Sequence, residues 1–217
     1  MKHSAKRPPP GVLTEWLALA NDDWSPDWDN FQNPQKGAVH RALLIEQGYV
    51  CAYCGRGLKA DGGDSHIEHF WPRARYPGCA LDYGNLYASC GPAAEKGASK
   101  TCGDAKGDWH DPGNQDLFPS HPRCEQRFRY GGNGQAAPFD GADALVGTMI
   151  TVLNLNEGSL ALERKAIIAA LEEAILGGEI DVAGKAREIA LWRALDGAGR
   201  AKSLGHVAAV YLEQEII

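Results

Sequence analysis

Between Cys51 and Asp108 the chain gathers residue types that hold metal ions and move protons. The stretch opens CAYC (Cys51, Cys54), runs through HIEHFWP (His66 to Pro72) and YGNLYASC (Tyr83 to Cys90), and closes TCGDAKGD (Thr101 to Asp108). Two residues between thiolates let the sulfurs of Cys51 and Cys54 converge on one tetrahedral ion, although a redox dithiol shares that spacing. Cys90 and Cys102 can complete a four-sulfur structural zinc site. The eleven residues between them make a long spacer, so GPAAEKGASKT must bulge out as a small, polar, flexible surface loop. His110 replacing one sulfur is the chief variant, and Cys79 and Cys124 read as core thiols.

His66-Ile67-Glu68-His69 reads as a strand that Trp71-Pro72 ends. Residues alternate faces in a strand, so Glu68 and His69 point to opposite sides unless the chain turns there, as Pro72 allows. A carboxylate next to a histidine can then place a hard divalent cation beside a general base. The cation stabilises a pentavalent phosphate and its leaving oxygen while His69 deprotonates an attacking water, a role suited to a pKa near ~6.5. A lone histidine is more often a packed or surface residue; two flanking cysteine pairs favour the catalytic reading. Asn85 follows Gly84 five residues before Cys90. It reads as a turn residue, a brace for the loop that orients His69, or both.

The flanking elements have to position these groups. Residues 1–10, with Pro8, Pro9 and Pro10, read as a disordered or extended lead. VLTEWLALA (12–20) is a short apolar helix, and a turn-rich loop, NDDWSPDWDNFQNP, follows it. Lys36 to Gln47 forms a second helix with Val39, Leu43 and Leu44 on one stripe and Gly48 as its stop. Residues 111–145 are rich in Gly, Pro and Asn, and Met149 to Asn156 is a β-branched, apolar run ending in turn-formers. Leu160 to Leu176, Val182 to Leu195 and Ser203 to Gln214 are helical. The expected division is a helical lead over 1–50, a zinc-stapled core over 51–110, and a loop-rich segment with a helical module over 111–217, joined as one compact unit.

Bulk properties narrow the setting. At 44% hydrophobic and 23% charged, the 217 residues describe an ordinary soluble globular protein. Nothing approaches the ~18 apolar residues of a membrane span, and MKHSAKRPPPG has no signal-type apolar segment behind it. A cytoplasmic location without membrane association follows, where cysteines serve as thiols or metal ligands rather than disulfides. The formal net charge is −6, with twelve Asp/Glu against seven Lys/Arg over 131–217 and ten of each over 51–130. Arg73, Arg75, Lys96, Lys100, Lys106, Arg123, Arg127 and Arg129 remain available for phosphates. CEQRFRY (Cys124 to Tyr130) alternates basic and aromatic residues, so Arg127 and Arg129 can hold phosphates while Phe128 or Tyr130 faces a base. A strand with Phe128 in the core fits equally well. An acidic chain draws little from non-specific attraction to a duplex, so delivery of substrate by a partner is expected.

The ordered set of CxxC, an acidic residue before His with a proline three residues on, Asn-Leu, and cysteines closing on Lys-Gly resembles the HNH endonuclease family. CAYCGRGL, IEHFWPRARYP, LDYGNLYASC, TCGDAKGD, CEQRFRYGGNGQ and TVLNLN…LERK are together similar to the retron- and Septu-associated HNH nucleases of bacterial antiphage defence, over about residues 40 to 170. The resemblance implies an α+β fold, a small zinc-stapled ββα-metal core embedded in a mainly helical chain. It implies His69 as general base, Glu68 as the metal-binding acid, Asn85 as the central asparagine, and Cys51, Cys54, Cys90 and Cys102 on structural Zn²⁺. It also implies a nucleic-acid substrate, DNA before RNA, and an ATPase partner of the SMC/ABC type, with or without a retron reverse transcriptase and its RNA-DNA. The chain departs from the pattern after the last cysteine, where Gly103 stands in place of a His or Asn ligand. Asp104 is the substitute expected, with His66 and His110 as other candidates, and a carboxylate set suits Mg²⁺ or Mn²⁺.

Two other functions compete with metal-dependent cleavage. One is a zinc-stapled binding module for nucleic acid or for the ATPase, without strong catalysis, which Gly103 favours. The other is a CxxC redox protein, which a four-thiolate zinc site excludes.

Overall fold

A computed structural model describes residues 1–91 and 99–214 of the chain. Residues 92–98, which include Lys96 and most of the expected GPAAEKGASKT loop, lie outside the described residues. The chain is mixed α+β. Helices α1 (Gly11–Leu17) and α2 (Gln35–Glu46) precede an antiparallel pair, β1 (Ser65–His69) and β2 (Leu86–Cys90), and a short helix, α3 (Cys102–Lys106). A second ribbon, β3 (Phe128–Tyr130) and β4 (Ala136–Pro138), leads into α4 (Ala144–Val152), α5 (Gly158–Leu176), α6 (Val182–Arg193) and α7 (Gly205–Gln214). Among the described residues, no helix is long and apolar enough to cross a membrane.

The β1–β2 register places Ser65 opposite Cys90, Glu68 opposite Tyr87 and His69 opposite Leu86. The free edge of β2 is closed by a buried glutamine. The Gln47 side chain accepts from Ala88 N (2.7 Å), which a buried edge would otherwise leave unpaired, and donates to Ala88 O (2.8 Å), which also accepts from Ala52 N (3.1 Å). Helix α2 turns Val39, Leu43 and Leu44 inward beneath this hairpin, as their i, i+4, i+5 spacing predicts.

Residues 1–10 are extended but pinned, which corrects the disordered alternative. Lys2 N donates to Ala52 O (3.1 Å), Ser4 N to Pro119 O (2.7 Å) and His3 N to Glu125 Oε1 (2.7 Å), while the Met1 side chain is in the core. The β-branched run from Met149 ends helix α4; Met149 and Ile150 are buried on its inner face, and packing overrides strand propensity. Asp143 caps α4 by accepting from Val146 N (3.2 Å), and Asp181 caps α6 by accepting from Gly184 N (2.6 Å).

The LERK segment docks α5 onto the rest. Arg164, 1% exposed, donates through Nε to Gly134 O (2.7 Å) and through a terminal nitrogen to Leu155 O (2.5 Å). Gly134 has φ +79°, and a Cβ there would lie 1.9 Å from Ala161 O, so glycine is required where the β3–β4 turn meets α5. One continuous hydrophobic cluster takes in Met1, Leu43, Tyr53, Phe70, Leu160 and Val207.

Candidate metal centre and the adjoining cleft

Cys51 and Cys54 sit on a tight turn after α2. Cys51 N donates to Arg56 O (2.9 Å) and Gly55 N to Cys51 O (2.9 Å). Gly55 has φ +74°, and a Cβ there would lie 2.3 Å from the His206 ring, so both backbone and packing demand glycine. Cys90 ends β2, and Cys102 opens α3 with φ +55°, its N–H donating to Leu153 O (2.8 Å). The four sulfurs all lie within 4.8 Å of one another, and Cys54 Sγ is 3.9 Å from Cys90 Sγ. A tetrahedral zinc with Zn–S of about 2.3 Å requires sulfurs about 3.8 Å apart, so this set can hold a metal ion such as zinc.

Protonation fits the same conclusion. Burial opposes charge on Cys51, yet hydrogen bonds from Cys102, Cys54 and Cys90 hold its thiol well below the usual range. Cys102 is pushed up by the neighbouring Cys51 sulfur. The Cys51 and Cys102 sulfurs thus oppose one another's ionisation, and a divalent cation stabilises thiolates at such a cluster. All six cysteines are free thiols, and Cys79 and Cys124 lie outside the cluster.

Strand alternation puts Glu68 and His69 on opposite faces of β1. Glu68, 8% exposed, faces inward toward α3. Tyr53 donates its hydroxyl to Glu68 Oε1 (3.2 Å), the Lys106 ammonium lies 2.9 Å from the same oxygen, and His66 Nε2 is 3.4 Å from Oε2. Burial pushes the Glu68 carboxyl up, but His66 and Lys106 outweigh it and hold it below the ordinary carboxylate range. Burial disfavours the His66 imidazolium, and the Glu68 carboxylate more than restores it.

Gly103 has a geometric explanation. A Cβ at this position would lie 2.6 Å from Glu68 Oε2 and 2.8 Å from His66 Nε2. The space a side-chain ligand on α3 would need is filled by a carboxylate and an imidazole from β1. Asp104 is half-buried and near enough to His66 to favour its charged form. His110 is not brought to Glu68 or to the cysteines; it packs edge-on against Tyr76 (4.7 Å) and Trp71 (6.0 Å). Among the described residues, the four cysteines are the one group of three or more His, Cys, Asp or Glu side chains close enough to share an ion.

On the other face, His69 Nε2 is 3.0 Å from Ala80 O, a contact that requires Nε2 to carry the proton and leaves Nδ1 as the basic nitrogen. Burial lowers the His69 pKa to about 4, with the Ala80 carbonyl opposing that shift in part. Asn85 holds the loop in place. Its Oδ1 accepts from Trp71 N (2.7 Å), and its Nδ2 donates to Trp71 O (3.0 Å) and Cys79 O (3.1 Å). Asn85 is thus a positioning residue, fully engaged with backbone on both sides of the 71–79 loop.

His69 opens onto a cleft of about 410 Å³ whose opposite wall comes from α2 and the loop before it. Trp28 meets the His69 ring edge-on at 4.3 Å, the Lys36 ammonium lies 4.1 Å from the same indole, and the Arg73 guanidinium 5.8 Å. Trp28, Lys36 and His40 carry no signal in the sequence that points to this cleft. The WSPDW run marks a turn, and nothing local ties it to a histidine forty residues on.

The other basic candidates divide by exposure. Arg73 and Arg75 are exposed. Lys106 has 2% of its side chain exposed and pairs with Glu68, so it is buried away from any passing phosphate, which corrects its place among the phosphate-binding candidates. Arg127 is held by both Asp143 oxygens (2.9 Å each), whereas Arg129 is exposed. Phe128 is fully buried, and the Tyr130 hydroxyl bonds to His206 Nε2 (3.1 Å), so neither ring is presented for stacking on a base. Among residues the sequence does not mark, Arg56 ties the cysteine turn to α5 through Glu163 (2.8 Å) and Ser159 (3.1 Å). No protein-family model matches this chain, and no curated protein matches it.

Proposed function

We propose that the chain is a metal-dependent nuclease of the HNH type, hydrolysing phosphodiester bonds in nucleic acid, DNA in preference to RNA. The observation that carries this reading is His69. Its Nε2–H is anchored on a backbone carbonyl, its ring is kept neutral by burial, and it lines a cleft bearing Lys36 and Arg73. The hairpin-plus-helix order of β1, β2 and α3, with cysteines at the end of β2 and the start of α3, supports the ββα-metal resemblance drawn from the motifs.

In the reaction, His69 Nδ1 takes a proton from water as the water oxygen bonds to phosphorus. The bond from phosphorus to the leaving sugar oxygen breaks, and that oxygen is protonated from solvent. Asn85 keeps the 71–79 loop, and with it the Ala80 carbonyl, in register. Glu68 and His66, on the inward side of β1, would be the donors for a divalent cation, a carboxylate and an imidazole that suit Mg²⁺ or Mn²⁺. Such a cation supplies charge stabilisation at the phosphate and the leaving oxygen. Cys51, Cys54, Cys90 and Cys102 would hold a structural zinc, which would tie the end of β2 to the start of α3. The defence role, the cytoplasmic setting and an SMC/ABC-type ATPase partner, with or without a reverse transcriptase, rest on the motif resemblance and on the acidity of the chain.

His69→Ala should abolish cleavage of plasmid and oligonucleotide substrates with Mg²⁺ or Mn²⁺ while zinc content and circular dichroism stay unchanged. Cleavage at the wild-type rate by that variant would sink the assignment. A second reading, a zinc-stapled adaptor with weak or no catalysis, is favoured by the Lys106 ammonium lying against Glu68 where a metal would draw on its charge. Absence of metal-dependent cleavage across DNA and RNA substrates, even with the ATPase present, selects it.

A further inference from the structure

The cleft at His69 has an unusual charge balance for so acidic a chain. Its lining contains Lys36, Arg73 and three histidines, His40, His66 and His69, and among the described residues no aspartate or glutamate. Lys36 and Arg73 approach one indole, Trp28, which is only 9% exposed and packs edge-on against His69. An aromatic face holds a cation without neutralising it. The Asp29 carboxylate lies 3.4 Å from Arg73, but its side chain is 92% exposed, and it lines an adjoining hollow that shares Trp28 and Arg73 with the cleft. Solvent screening leaves such a pair with little hold on the guanidinium. Burial lowers the Lys36 pKa and the Arg73 charge lowers it further, with the Asp29 carboxylate opposing both in part, so the two cations lie close together. An anion seated between them would relieve both.

We propose that Lys36 and Arg73, converging on Trp28 beside His69, form the phosphate clamp that holds the nucleic-acid backbone at the cleft. This deepens the nuclease reading and rests on it for the identity of the anion. Lys36 comes from the first turn of α2, where the Asn33 side chain accepts from Gly37 N (3.0 Å) and orders the helix start. Arg73 leaves the loop that Asn85 braces. The clamp thus closes across two separate elements, and both grips are referred to the same indole as His69. On the far side of Trp28 and Arg73, the adjoining hollow carries Asp27, Asp29 and Asp108, so the phosphate is expected on the Lys36 side, where no carboxylate lines the cleft.

The test is binding of short fluorescent DNA, single-stranded and duplex, to the full chain without added divalent cation, across a salt series. Removing one phosphate-binding cation makes the slope of log affinity against log salt shallower by about 1. Lys36→Ala and Arg73→Ala should each weaken binding several-fold with that change in slope, Lys36→Arg should restore it, and Lys165→Ala, at an exposed position on α5, should bind as wild type. Circular dichroism and zinc content of every variant establish folding. Unchanged slopes in folded Lys36→Ala and Arg73→Ala, or an equal weakening and slope change in Lys165→Ala, overturn the clamp. Wild-type protein that binds no DNA at any salt overturns it as well. Binding with the predicted slopes but no cleavage under any metal supports the clamp and removes the nuclease reading, so the two fail separately.

Discussion

The Lys106 ammonium lies 2.9 Å from Glu68 Oε1 with 2% of the lysine side chain exposed, a buried ion pair joining α3 to β1. Removing one member of such a pair leaves the other charge buried without compensation, at a cost of about 3–5 kcal/mol. Lys106→Met should therefore lower urea stability by that order. The same variant should gain more thermal stability from added Mg²⁺ or Mn²⁺ than wild type does, because the cation takes over the role of the missing ammonium. Equal gains in the two proteins would mean that no cation binds at Glu68.

Gly103→Ala asks whether the space beside Glu68 is occupied as described. With a methyl group 2.6 Å from one partner and 2.8 Å from the other, the Glu68–His66 contact must open. A destabilisation of about 1–3 kcal/mol is expected, with metal-dependent activity reduced and zinc content intact. A fully stable, fully active Gly103→Ala protein would show that the pair adjusts freely.

The cysteine cluster couples metal to folding. Cys51→Ser, or zinc removal by a strong chelator, should unfold the 51–106 region and should not merely slow a reaction, because the binding energy of a structural zinc is folding energy. Loss of near-ultraviolet dichroism together with zinc release checks this. A folded, soluble, zinc-free Cys51→Ser protein contradicts it.

His69 carries a pH signature. Its folded pKa, about 4, lies below the ordinary histidine value because burial penalises the imidazolium. The unfolded chain therefore binds more protons between those two values, so the stability His69 contributes is present above ~6.5 and is lost as pH falls toward 4. A His69→Gln variant should show a shallower fall in stability over that window. By the same shift, the acid limb of the cleavage profile should lie well below pH 6.

Local chemistry is legible in the sequence and tertiary closure is not. The strand at His66–His69 and the convergence of four cysteines follow from spacings within a few residues of one another or from the single demand of a tetrahedral ion. The bracing role of Asn85 follows from an amide placed at a turn. Lys106 reads as a free cation because a lysine three residues from a glycine looks exposed in sequence, and only the packing of α3 on β1 shows that it faces Glu68. Phe128 and Tyr130 alternate with arginines as a stacking platform would. Alternation equally serves a strand with one buried face, and burial decides between them. Trp28 and Lys36 are invisible because they reach His69 through the fold, with no periodicity or motif to connect them.

The position of Trp28 has a practical consequence for anyone trimming this protein to its cysteine motif. A fragment cut at the borders of the cysteine motif, from residue 51 to about 110, would keep the four clustered cysteines and His69 yet lose the indole that the imidazole leans on. The working unit is therefore larger than its motif. The floor of the cleft comes from one stretch of the chain and its roof from another, and a design that transplants the first without the second would leave His69 held by the Ala80 carbonyl but without its aromatic wall.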